Sequence, residues 1–202
     1  LPKGPLSIIF YKSSRAVWPF ISDFGFFIMA LLPILTYPNK RLRETSKPVA
    51  EITDEIRQLV KDMAETMYDA PGVGLAAPQV VVLLRLALVD VVAGYNEEGE
   101  RDLQVFINPE ILEAEGEQVG EEGCLSVREY AAPVKRAMRI KVRTMNLDGE
   151  TIEFEAEEFY ARVLQHEFDH LDGRLFIDRI STLRRSLYKK KLKKILASEK
   201  NG

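Results

Sequence analysis

Residues 53–68 place apolar side chains at Ile56, Leu59, Val60, Met63 and Met67, spaced i, i+3, i+4, i+7 and i+11. This is one stripe on a 3.6-residue period, and it predicts an amphipathic helix. Thr53 stands at the N-cap position, Asp54 and Glu55 suit the positive end of the helix dipole, and Pro71-Gly72 ends the pattern. A Gly-rich loop, GVGLAAPQ, follows at 72–79. Residues 80–92 are an almost unbroken run rich in Val and Leu, which predicts a buried strand. A polar loop fills 94–102. Gln104–Asn108 reads as a short strand closed by Pro109, with 111–119 a candidate for another.

Further along, Met138, Ile140, Val142 and Thr144 alternate with polar residues, and Ile152, Phe154 and Ala156 do the same beyond Asp148-Gly149. Two alternating runs around a DG turn predict a β-hairpin. Residues 157–172 read as a helix stopped by Gly173, and about 181–197 as a last helix. Strands precede helices with no βαβ rhythm. The expectation is therefore an α+β fold of mainly antiparallel or mixed sheet with a C-terminal helix.

Residues 1–28 follow no clear period and carry one acid, Asp23. Cations followed by the apolar run Phe24–Leu35 suggest a secretory leader. However, Gly25 and Pro33 interrupt the run and no small-x-small cleavage site follows it. The run is also too short and interrupted to span a bilayer. An organellar transit peptide and a structural extension are alternatives. The simplest reading is a start assigned upstream of Met29, which opens an ordinary beginning, MALLPILTYPNKRLRE. On that reading 1–28 lie outside the catalytic domain, and 29–202 form one domain that includes the basic helix.

The chain's 202 residues suffice for one compact core. Its formal net charge of −3 gives no global attraction to DNA or to a membrane, but the charge is unevenly spread. Residues 182–200 hold eight Lys or Arg and one acid, a net of +7, so the remainder carries −3 − 7 = −10. The single cysteine allows no disulfide within the chain and fits a reducing cytoplasm.

The chemistry gathers at His166-Glu167-Phe168-Asp169-His170, an HExxH pattern built from the only two histidines. On a helix, residues four apart share a face, so both imidazoles reach one ion while Glu167 addresses a water beside it. A hydrolytic site needs three protein ligands and one open position. Downstream, Asp178 and Glu199 are the strong candidates for the third ligand. The sole thiol, Cys124, is another, preceded by Gly123 in Glu121-Glu122-Gly123-Cys124-Leu125-Ser126.

Three segments, in order and spacing, resemble the signature motifs of the peptide deformylases. They are Gly72-Val73-Gly74-Leu75-Ala76-Ala77-Pro78-Gln79, then Glu122-Gly123-Cys124-Leu125-Ser126, then Gln165-His166-Glu167-Phe168-Asp169-His170. The resemblance runs from about Met29 into the last helix. It implies sheets around a central metal-binding helix and removal of the formyl group from the formylmethionine of new polypeptides. It also implies one divalent ion on Cys124, His166 and His170. Fe²⁺ is the family's usual metal, with Zn²⁺, Ni²⁺ or Co²⁺ as alternatives. By the same resemblance Glu167 is the general base, and the Gln79 amide and the Leu125 backbone N–H stabilise the oxyanion. Gly74 pairs with the substrate backbone, and Val73, Phe159 and Val163 line the methionine pocket. Two positions depart from the pattern: Val81 stands where relatives often have Gly, and Arg128 where many have Pro. They bear on loop shape and the substrate rim.

Two rival readings remain at this stage. An HExxH zinc peptidase makes Cys124 dispensable and a downstream carboxylate essential. An RNA- or ribosome-binding module uses the basic tail and keeps a relict site. Within the deformylase reading, the tail's seven cations at 184–194 make it a candidate docking helix for the ribosome. Tyr188, Leu192, Ile195 and Leu196 form its apolar stripe, and its removal is expected to spare small-peptide turnover.

Overall fold

The computed structural model describes residues 31–93 and 101–200. The expectations for 1–28 and for most of the polar loop at 94–102 lie outside the described residues. Among the described residues there are three α-helices, α1 (Asp54–Asp69), α2 (Glu158–Leu171) and α3 (Thr182–Lys200). Strands β1 (Gly74–Ala76), β2 (Leu86–Val89), β3 (Gln104–Glu115), β6 (Arg139–Met145) and β7 (Thr151–Glu157) form one antiparallel sheet in the order β1-β2-β3-β6-β7. A separate hairpin pairs β4 (Gln118–Cys124) with β5 (Val127–Arg136). The expected α+β class is what the chain adopts.

Alternation along the strands explains the layers. In β2, Leu86 and Leu88 face a cluster with Val60, Met63 and Met67 of α1. Ala87 and Val89 face Val163, Leu164 and Phe168 of α2. The sheet is therefore covered on both faces at its β1–β2 end, which is why the sequence there is apolar at every position. A third cluster joins Val127, Ala132 and Val134 of the hairpin to Phe176 and to Tyr188 and Leu192 of α3.

Several expectations need correction. The run at 80–92 is not one strand. A 3₁₀ turn covers Ala77–Val80, Val81 takes a left-handed conformation, Leu84 makes an isolated parallel bridge to Lys47, and the strand is confined to Leu86–Val89. Buried apolar runs do not distinguish a strand from a packed turn, and here the backbone reverses. Pro109 does not close a strand. The register shifts between Ile107 and Glu110, Asn108 takes φ 51°, and β3 continues to Glu115. A bulge admits the proline because no ladder donor is needed there. The Asn108 side chain holds this bend by bonding both the N–H and the C=O of Val49 at 2.8 Å. The candidate strand at 111–119 is split between β3 and β4 around Gly116, which has φ 64°. Thr53 is the N-cap residue of α1, but its side chain makes no capping bond.

The other elements match expectation. Residues of β6 and β7 pair from Met145↔Thr151 to Arg139↔Glu157 around the Asp148-Gly149 turn. Gly173, at φ 68°, ends α2, and a Cβ there would stand 2.5 Å from the carbonyl oxygen of Arg43. On α3, Tyr188 and Leu192 are buried as the stripe requires. Tyr188 stacks on Tyr130 with ring centres 4.5 Å apart, so the helix is part of the core beside the hairpin.

Val81 is a β-branched residue at φ 74°, ψ 1°, in a region where a Cβ is costly. Relief of about 1–3 kcal/mol of strain, less the entropy cost of glycine, predicts that Val81→Gly stabilises the fold by about 1 kcal/mol. Thermal unfolding should shift upward by about 2–4 °C. A lowered midpoint would show that Val81 packing outweighs its backbone strain.

Candidate metal centre

Two elements bring the chemical groups together. Helix α2 presents His166, Glu167 and His170, all on buried turns. The β4–β5 hairpin presents Cys124, which pairs with Val127 across a two-residue turn of Leu125 and Ser126. A register shift between Glu122 and Cys124 marks a bulge that re-aims the end of the strand. As a result, one ligand atom each from Cys124, His166 and His170 lies within 4.8 Å of the others. Sγ of Cys124 is 3.2 Å from Nε2 of His170, and the two imidazole rings are 5.1 Å apart. The other candidates for third ligand are engaged elsewhere: Asp178 pairs with Arg43, and Glu199 with Arg128.

The donor set suits a metal ion. One thiolate and two imidazoles are a borderline-soft set for a divalent first-row metal, and three ligands leave a fourth position open. A buried carboxylate oxygen, Oε2 of Glu167, has no hydrogen-bond partner. Burial, then the nearby Glu122 charge, pushes the Glu167 carboxyl up to about 7. A carboxyl so placed can accept and release a proton near neutrality.

Gln79 lies on the 3₁₀ turn after the Gly-rich loop. Its Oε1 accepts from the Ala76 N–H at 2.8 Å, so its Nε2 points the other way, toward Ser126 Oγ at 3.2 Å and Cys124 Sγ at 3.7 Å. Leu125 follows the cysteine in the turn. Residues 31–37 cross both motif loops, with the Leu35 N–H donating to Gln79 O and the Tyr37 N–H to Ser126 O. Val73 packs beside the cluster that contains Val163, while Phe159 is 37% exposed. Gly74 lies on the sheet edge against α2. A Cβ there would stand 2.8 Å from Cδ and 2.9 Å from Cγ of Glu167, and closer still to Oε1. The glycine is required because the carboxylate occupies that space.

Sequence reasoning missed the partner of His166. Nδ1 of His166 lies 2.9 Å from Oε2 of Glu122. Arg136 grips the same carboxylate through Nε and Nη2, both at 2.9 Å. Its Nη1 reaches Asp169, which Arg179 also holds. Burial opposes ionisation of Glu122, but the bonds from Arg136 and His166 outweigh it and hold its carboxyl well below the usual range. As a carboxylate, Glu122 can only accept, so His166 carries its proton on Nδ1 and keeps Nε2 for an ion. Glu122 stood in the cysteine motif, but nothing local in the sequence linked it to Arg136.

A family described as polypeptide deformylase matches residues 31–186. A peptide deformylase of Alkalilimnicola ehrlichii is 50% identical over 168 residues, covering 83% of this chain and 92% of that one. One from Hydrogenovibrio crunogenus is 49% identical, covering 86% of this chain and 100% of that one. Among solved structures, a Legionella pneumophila peptide deformylase superposes with a TM-score of 0.77 at 41% identity, covering 86% and 99% of the two chains. An Acinetobacter baumannii peptide deformylase with Met-Ala-Ser bound superposes with a TM-score of 0.71 at 37% identity, covering 76% and 100%.

The contact between Gly74 and Glu167 predicts that Gly74→Ala displaces the carboxylate without touching Cys124, His166 or His170. Turnover should fall by about a hundredfold, as for a misplacement near 1 Å, while metal content stays at the wild-type level. Wild-type turnover in the variant would show that Glu167 has room to move.

Proposed function

The chain belongs to the peptide deformylase family, and we propose that Cys124, His166 and His170 hold its metal ion while Glu167 moves the protons. It is an enzyme, a hydrolase that removes the formyl group from the amino terminus of newly made polypeptides. The observation that carries the residue assignment is the convergence of the chain's only thiol and only imidazoles on one point beside a buried, unpartnered carboxylate oxygen.

A divalent ion, when bound, supplies Lewis acidity, polarising the formyl oxygen and acidifying the attacking water. Glu167 takes a proton from that water as its oxygen bonds to the formyl carbon. Nε2 of Gln79, fixed by the Ala76 N–H on Oε1, and the Leu125 N–H donate to the carbonyl oxygen as it gains charge. Glu167 then passes its proton to the departing nitrogen. The C–N bond breaks, leaving formate and a free amino terminus. The substrate backbone extends the sheet at its β1 edge beside Gly74. Its methionine side chain enters between Val73, Phe159 and Val163. The Met-Ala-Ser held by the Acinetobacter baumannii deformylase has the sequence of such a product.

Fe²⁺ is the metal proposed here, since a thiolate with two imidazoles tolerates it, and the same set accepts Zn²⁺, Ni²⁺ or Co²⁺. The catalytic domain is taken as 29–202. No described helix is long and apolar enough to cross a membrane. The lone thiol used as a ligand favours the cytoplasm.

The proposed macromolecular partner is the ribosome. On α3, Lys189, Lys190, Lys193 and Lys194 are exposed, and Leu183 and Leu187 are 68% and 56% exposed. Tyr188 and Leu192, by contrast, are core. Removing the helix would therefore open the cluster around Val127 and Phe176, and truncation is a poor test of docking.

Two outcomes are expected. Glu167→Gln should bind metal as the wild type does yet release formate from formyl-Met-Ala at least about 10³-fold more slowly, by loss of the proton carrier. A fast Glu167→Gln enzyme would remove that role. Replacing Lys189, Lys190, Lys193 and Lys194 with Gln should leave formyl-Met-Ala turnover intact. The same change should reduce the log–log salt slope of ribosome binding by about 3. Unchanged ribosome binding at low salt would rule out docking through α3.

A further inference from the structure

Arg162 lies four residues before His166 on α2, so both side chains leave the same helix face one turn apart. Its side chain is 7% exposed. Nη1 donates to the carbonyl oxygens of Gly120 at 3.1 Å and Val134 at 3.0 Å, and to Oε1 of Glu122 at 3.1 Å. Nη2 donates to Oε1 of Gln118 at 3.2 Å. The guanidinium thus bridges both strands of the hairpin and the carboxylate that faces His166.

The sequence makes room for it. A Cβ at Gly120 would stand 2.9 Å from Nη2 and 3.0 Å from Cζ of Arg162. Any larger residue there must displace the guanidinium from the position in which it bonds Glu122. The charge arrangement points the same way. Arg136 and Arg162 are buried against Glu122 and Asp169, two cations against two anions, with Arg179 reaching Asp169 from the exposed side. Without Arg162, Glu122 keeps Arg136 as its one guanidinium partner, because Arg179 reaches Asp169 and not Glu122.

A strap between hairpin and helix would need only the bonds to carbonyl oxygens. The bond to Glu122 adds something specific. Oε1 of Glu122 receives Nε of Arg136 and Nη1 of Arg162, while Oε2 receives Nη2 of Arg136 and Nδ1 of His166. With Oε1 held from both sides, the carboxylate plane cannot rotate away from the imidazole. We propose that Arg162, seated in the space left by Gly120, is a positioning residue that locks Glu122 onto Nδ1 of His166 and so sets the strength of His166 as a metal ligand. The inference rests on the metal-ligand reading given above.

The test uses Co²⁺ added to the metal-free full-length protein, with the visible spectrum and chelator competition as readouts. The unsubstituted protein tests the ligand reading by itself. If it shows no sulfur-to-cobalt band dependent on Cys124, that reading fails and this inference falls with it. With the band present, Arg162→Met should shift the cobalt bands and weaken Co²⁺ binding by about 10–100-fold, the usual effect of losing a residue that orients a ligand. Arg162→Lys should recover only part of the loss, because an ammonium lacks the planar fork. Gly120→Ala keeps every charged group and should weaken binding in the same direction by a smaller factor. KM for formyl-Met-Ala should move less than about twofold in each, since no substrate contact is lost. An Arg162→Met protein with the wild-type spectrum and affinity overturns the proposal. If that variant does not fold, Gly120→Ala decides, and an unchanged spectrum and affinity there overturn the proposal equally.

Discussion

The structure turns on one buried carboxylate. Glu122 is 4% exposed and ionised, which the interior tolerates because Arg136 meets it in a two-pronged pair while Arg162 and His166 also donate to it. That requirement fixes the relation between the hairpin and α2. Glu122 and Arg136 sit on β4 and β5, while His166 and Asp169 sit on the helix. The hairpin and the helix can meet at only one register if all four groups are to be satisfied. Cys124, two residues beyond Glu122, is carried to the imidazoles by the same constraint.

Packing then holds this arrangement from three sides. The cluster between the sheet and α2 seats the helix through Val163, Leu164 and Phe168. The cluster beneath the other face, with Met63 and Met67 of α1, holds β1 and the Gly-rich loop where Gln79 must stand. The cluster of Phe176, Tyr188 and Leu192 closes the hairpin from outside, and Phe176 stacks on His166 at 6.1 Å between ring centres. Glycines stand where groups of the site approach closely: Gly74 against Glu167 and Gly120 against Arg162. On the proposed assignment formyl removal requires this rigidity, since Glu167, the Gln79 and Leu125 donors, and Cys124 with the two imidazoles come from three separate segments.

Much of this was legible in the sequence. The i, i+4 histidines, the helical period of α1, the DG hairpin and the Gly after α2 each have a local physical cause, and each survives in the structure. The strand boundaries around 80–92 and Pro109 were not legible. They depend on a left-handed Val81 and on an Asn108 bulge held by Val49, neither of which leaves a periodic trace. The third ligand could not be chosen by spacing. Spacing left Asp178, Glu199 and Cys124 as candidates, the resemblance favoured Cys124, and in the structure Asp178 pairs with Arg43 and Glu199 with Arg128. The Glu122–Arg136–Asp169 network was invisible because its members come from three elements, and each looks like an ordinary surface charge when taken alone.

The central claim is that the chain's one thiol and two imidazoles form the metal site of a deformylase. X-ray absorption at the zinc edge of the Zn²⁺-loaded protein tests it most directly. The account predicts one sulfur at about 2.3 Å and two imidazole nitrogens at about 2.0–2.1 Å, with one further light atom. Loss of the sulfur shell, and no other, is expected in Cys124→Ala. A first shell without sulfur in the unsubstituted protein, or one completed by a protein carboxylate, would contradict it.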